Sequence, residues 1–93
     1  MRLLLVEDEP SAARMLAKGL REHSYAVDVS GDGVDAAFRM ATTDYDAVVL
    51  DVSLPGKSGL DLAREWRSAG IGVPVLMLTA HDAVAAKIGE LYT

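Results

Sequence analysis

The sequence predicts an α/β protein built on a parallel sheet of about four β-α units, and three observations carry that reading. Short apolar runs alternate with longer stretches of helical spacing, the pattern of β-α repeats. Three of the four runs are apolar on both faces, as strands covered on both sides by helices must be. Acidic and hydroxyl residues collect just after those runs, at the carboxyl ends of the strands, where open α/β sheets bind ligands.

The strand candidates are residues 3–6, 26–29, 47–50 and 73–78. The second carries Asp28 inside and Ser30 after it, a polarity that suits an edge position. Between the runs, Ala13, Leu16, Ala17 and Leu20 fall at i, i+3, i+4, i+7 and predict the first helix, with Pro10 in its first turn, where a missing N–H costs nothing. Val34, Ala37, Phe38 and Ala41 repeat the spacing and predict the buried stripe of a second helix. Gly59, Leu62, Ala63 and Trp66 form a third stripe, opened by Ser58 with Asp61 three residues later, an N-terminal capping pattern. A fourth helix is predicted to start near Asp82 and to carry Val84, Ile88 and Leu91. Trp66 and Phe38 are expected in the core or partly covered by it. His23 and His81 have no metal-ligand partner at a useful spacing and are expected to be exposed.

Length and composition narrow the function. With 93 residues the chain forms one domain, spanning 1–93. A domain of this size buries roughly 60–65% of its unfolded surface, so each element matters to the core. A hydrophobic fraction of 51% excludes a disordered tail. The excess of 14 acidic over 9 basic residues, a net charge of −5, argues against direct nucleic-acid binding. The absence of cysteine excludes disulfides and thiolate metal sites and fits a cytoplasmic setting. The apolar N-terminal run is broken at Glu7 and Asp8, too early for a signal sequence or a membrane span.

The chemistry lies at the predicted strand ends: Glu7-Asp8 after the first strand, Asp51 after the third, and Thr79-Ala80 after the fourth. If those strands are neighbours, three carboxylates and a hydroxyl converge. Like charges that close raise one another's pKa unless a cation lies between them, and hard divalent cations prefer oxygen ligands. A Mg²⁺ site resolves the repulsion, and a carboxylate there can itself act as nucleophile and form an aspartyl phosphate. Singly these residues have blander readings: acidic residues after a strand are usually a solvated loop or favourable charge at a helix N-terminus, and a threonine there is a cap. Their common position at one end of successive strands favours the functional reading.

The runs 4–9 (LLVEDE), 48–59 (VVLDVSLPGKSG) and 73–80 (VPVLMLTA) are together similar in content and spacing to the signature of bacterial two-component response-regulator receiver domains. The resemblance implies a flavodoxin-like, doubly wound sheet with strand order 2-1-3-4, incomplete because the fifth strand and fifth helix of a receiver have no counterpart here. It implies Asp51 as phosphoacceptor, Asp8 as direct Mg²⁺ ligand with Glu7 helping through water, and Ser53 as a backbone-carbonyl ligand. Thr79 becomes the hydroxyl that meets the phosphoryl group, with the small Ala80 leaving it room. It also implies a sensor histidine kinase as partner, an output domain outside this segment, and a phosphoacceptor that is not a conventional turnover enzyme. The departure is the strand-end lysine of receivers: Lys18, Lys57 and Lys87 are the only lysines and none precedes a proline.

Two rivals fail on residues. A haloacid-dehalogenase-type phosphatase needs a second aspartate two residues after its nucleophile, where this chain has Ser53, and a flavodoxin-like nucleotide binder needs a glycine-rich first turn rather than Glu7-Asp8-Glu9-Pro10. The remaining alternative is a phosphorylation-deficient receiver fragment that acts only by association. With no fifth strand, residues 73–78 are expected to offer an open apolar edge, giving a homo-oligomer by edge pairing or by exchange of residues 82–93.

Overall fold

The computed structural model describes residues 1–52, 54 and 57–78. Within them β1 (Arg2–Val6), α1 (Pro10–Glu22), β2 (Ala26–Ser30), α2 (Gly33–Thr42), β3 (Ala47–Asp51), α3 (Gly59–Ser68) and β4 (Val75–Leu78) follow one another in strict alternation. The strands pair in parallel in the order β2-β1-β3-β4. This is the sheet the resemblance implies, with β2 at an edge. The predicted fourth helix, together with Ser53, Thr79, Ala80 and His81, lies outside the described residues.

Because alternate strand residues point to opposite faces, the sheet has two cores. Leu4, Val6, Val48, Leu50, Val75 and Met77 meet Ala36 and Met40 of α2 and Leu62, Ala63 and Trp66 of α3. Leu3, Leu5 and Val27 meet Ala17 on the opposite face, with Leu16 and Leu20 packed alongside. The predicted stripes of α1 and α3 therefore face the sheet, and Trp66 is a core residue. Ser58 caps α3 as expected, its hydroxyl accepting the Asp61 N–H at 3.2 Å. Pro10 opens α1, and His23 lies exposed at its C-terminal end.

Two expectations need correction. The fourth strand begins at Val75 rather than Val73, because Pro74 has no N–H to give a ladder; its carbonyl accepts the Val48 N–H at 2.9 Å instead. The second concerns α2. Val34 and Phe38 are 66% and 65% exposed, whereas Gly33, Ala36 and Met40 are buried. Residues 33, 36, 37 and 40 satisfy the same i, i+3, i+4, i+7 spacing as 34, 37, 38 and 41, so periodicity alone cannot choose between them. Packing chooses: α2 starts at Gly33, capped by Asp32, and Gly33 lies so close to Lys57 that a Cβ would collide with the Lys57 carbonyl. That contact sets the roll of the helix and turns Phe38 to solvent.

Candidate functional site

The register between β1 and β3 builds the site. Val6 is aligned with Leu50, so the chain positions that follow, Glu7 and Asp51, emerge side by side at the carboxyl end of the sheet. Asp8 follows at once in the turn to α1. One carboxylate oxygen from each of Glu7, Asp8 and Asp51 lies within 4.8 Å of the others. The three residues differ in access: Asp51 is 3% exposed, Glu7 is half-buried and Asp8 is open to solvent. The acceptor candidate is thus held in the sheet, and one side of the cluster stays open to water and ligands.

Local bonds fix each arm. The Glu7 N–H donates to the Ser30 carbonyl of β2 at 2.9 Å, and the Glu7 carboxylate accepts the Glu9 N–H at 3.0 Å. On the other arm the Val52 N–H donates to the Leu78 carbonyl of β4 at 2.9 Å, and the Gly59 N–H donates to the Val52 carbonyl at 3.0 Å. Gly59 is required there, since a Cβ would strike the Asp51 carbonyl oxygen. Val52, just after the acceptor, is therefore pinned by β4 on one side and by the first residue of α3 on the other.

The electrostatics match the geometry. Burial raises the Glu7 carboxyl above its ordinary value, the negative charge of Asp51 and hydrogen bonds with Asp8 and Asp51 raise it further, and the Glu9 N–H pulls the other way. A half-buried acid whose carboxyl pKa is raised beside two others is what the crowding of carboxylates produces. The donor set is entirely oxygen, and its open side leaves places for water. Both features fit Mg²⁺, which takes a few carboxylates and keeps several waters.

Of the residues the sequence singled out, the structure brings together Glu7, Asp8 and Asp51; Ser53, Thr79 and Ala80 lie outside the described residues. Lys57 binds both oxygens of Glu65 at 2.8 and 2.9 Å rather than turning to the cluster. Glu9 was not singled out by sequence, yet it organises the first turn. Its carboxylate caps α1 by accepting the Ser11 and Ala12 N–H groups at 3.1 and 2.6 Å, and these bonds, Ala12 first, lower its pKa. An acidic residue immediately before a proline at the first helical position was the available signal. Two grooves, of about 520 Å³ beside α3 and 330 Å³ on the α1 side of β3 and β4, lie away from the carboxylates.

Comparison with known proteins agrees with the fold. The response regulator receiver domain model matches residues 3–91. The transcriptional regulatory protein TcrA of Mycobacterium tuberculosis is 45% identical over 98% of this chain, which spans 36% of TcrA. The receiver domain of the Francisella response regulator 1452 superposes with a TM-score of 0.85 at 30% identity, covering 97% of this chain and 74% of that one. TrrA of Thermotoga maritima, solved with Mg²⁺-BeF, gives 0.82 at 36% identity over 87% of this chain and 70% of TrrA. TrrA has also been solved in complex with the histidine kinase ThkA.

Proposed function

The chain belongs to the response regulator receiver domain family of two-component signalling, and on that premise we propose that Asp51 accepts a phosphoryl group from a sensor histidine kinase in a Mg²⁺-dependent transfer. The observation that carries the proposal is the convergence of Glu7, Asp8 and the nearly buried Asp51 on one strand-end cluster. Glu7, Asp8 and Asp51, with the Ser53 carbonyl, would hold Mg²⁺, whose charge offsets that of the carboxylates and of the phosphoryl oxygens.

The chain's own part is nucleophilic. An Asp51 carboxylate oxygen attacks phosphorus as the P–N bond to the donor imidazole breaks; the imidazole leaves as the neutral base after taking a proton, and an acyl phosphate remains on Asp51. The β3–β4 bond at Val52 and the Gly59 bond to the Val52 carbonyl fix the backbone next to Asp51. Thr79 would meet the transferred group, with Ala80 beside it leaving space. The chain serves as a phosphoacceptor rather than a turnover enzyme, in the cytoplasm, regulating transcription through an output domain as the longer TcrA suggests. Among the described residues no helix is long and apolar enough to cross a membrane.

Beryllofluoride with Mg²⁺ tests this reading against the phosphorylation-deficient alternative. Saturable amide shifts at Glu7, Asp51 and Val52 are expected; shifts absent from all three would leave association as the function. Among the described residues β4 pairs only with β3. Self-association through that edge predicts a dimer in sedimentation at micromolar concentration, and a monomer removes it.

A further inference from the structure

Among the described residues only two polar side chains are buried, Asp51 at 3% and Ser30 at 1% exposure. Asp51 belongs to the site already described. Ser30, the last residue of β2, has no role in it, yet its carbonyl is the acceptor that holds the Glu7 N–H. Its hydroxyl is tied in turn to α2: it lies 2.7 Å from an Asp35 carboxylate oxygen and 3.1 Å from the Asp32 carbonyl. Asp35 is itself fixed, its N–H donating to the Asp32 side chain at 2.7 Å and its carboxylate accepting from Arg39 at 2.7 Å. The same helix end is wedged against Lys57 through Gly33. A chain of short contacts therefore runs from the acid turn of β1 through Ser30 to the N-terminus of α2.

We propose that Ser30 is a positioning residue for the metal-binding arm: its buried hydroxyl, anchored on Asp35 and the Asp32 carbonyl, holds the β2 carbonyl that sets the Glu7 backbone. The proposal rests on the reading of Glu7, Asp8 and Asp51 as a Mg²⁺ site and adds a residue that touches neither metal nor substrate. A hydroxyl is the right group for the task. It fills a small buried space while making a directional bond to a carboxylate, which an alanine of almost equal size cannot make. Loss of the bond frees the end of β2 to twist, and Glu7 moves with it.

The test uses the full chain and Mg²⁺ alone. Ser30→Ala should weaken Mg²⁺ binding about three- to tenfold by calorimetry, less than the roughly 10–100-fold of direct outer partners because Ser30 acts through backbone. In the metal-free protein the Glu7 amide should exchange faster relative to Leu5, a readout that general loss of stability would move equally at both. Ser30→Thr, which keeps the hydroxyl, should bind within about twofold of the parent. Asp35→Ala, at a half-exposed side chain, should weaken binding in the same direction but less, since the Asp32 carbonyl still accepts. Parent-like binding in Ser30→Ala, or an equal loss in Ser30→Thr, overturns the role of Ser30 while leaving the metal site standing. A parent that binds no Mg²⁺ at the three carboxylates overturns the site reading and the proposal with it.

Discussion

Replacing Asp51 with asparagine should make the metal-free protein more stable, although it removes the residue on which function is proposed to depend. The structure supplies the magnitude. Two unit charges no more than 4.8 Å apart repel by at least roughly 3–4 kcal/mol at an effective dielectric of about 20. Asp51 faces two such partners, but Asp8 is exposed and Glu7 only half-buried, so solvent and salt screen most of that energy. A net gain of about 1–2 kcal/mol remains, which for a domain of this size raises Tm by about 5–15 °C. The pH dependence follows from Glu7. Its folded pKa is raised, so its contribution to stability is full below the unfolded value and is lost as pH rises through the folded value. Asparagine at position 51 removes one cause of that rise, so the variant's stability should fall less than the parent's between acid and neutral pH. Mg²⁺ should stabilise the parent and have little effect on the variant. Urea unfolding at acid and neutral pH, with and without Mg²⁺, measures all three. An Asp51→Asn protein less stable than the parent without metal, or equally stabilised by Mg²⁺, would refute the reasoning.

Two further predictions concern the scaffold. Met40→Ala should cost about 2–4 kcal/mol by opening the α2–sheet core, whereas Phe38→Ala should stay within about 0.5 kcal/mol because its ring is exposed; denaturant unfolding giving the reverse order would restore the discarded face of α2. The Tyr45 hydroxyl lies 2.8 Å from Asp28 and, ahead of Arg2, lowers the Asp28 pKa. A lowered carboxylate contributes stability above its unfolded value of about 3.8 and loses it as pH falls through the folded value. Tyr45→Phe should therefore be destabilised at neutral pH, with the gap to the parent narrowing in acid; a pH-independent gap would show that the hydrogen bond does not act through Asp28 ionisation.

The alternation of elements and the acidic cluster were legible because each rests on a pattern that survives in one dimension, whereas the strand order was implied by the resemblance to receiver domains. Runs apolar on both faces mark interior strands, and carboxylates after the first and third runs become neighbours once those strands pair. The roll of α2 was not legible: Gly33, Ala36, Ala37 and Met40 keep the same spacing as Val34, Ala37, Phe38 and Ala41, and the deciding contact is with Lys57, 24 positions away in sequence. Glu9 was hidden for another reason. In a run of three acids nothing in the residue types separates ligand from cap, and only the turn geometry sends Glu9 to the α1 amides while Glu7 and Asp8 meet Asp51. Ser30 looked like the polar end of an edge strand. Its burial depends on Asp35 reaching back from the following helix.

The most direct test of the central claim is mass spectrometry of the chain after incubation with acetyl phosphate and Mg²⁺, with the adduct mapped by digestion. A single phosphoryl group is expected on Asp51, one that fails to form when Mg²⁺ is chelated and is absent from Asp51→Asn. An adduct on another residue, or one that forms equally in Asp51→Asn, would contradict it.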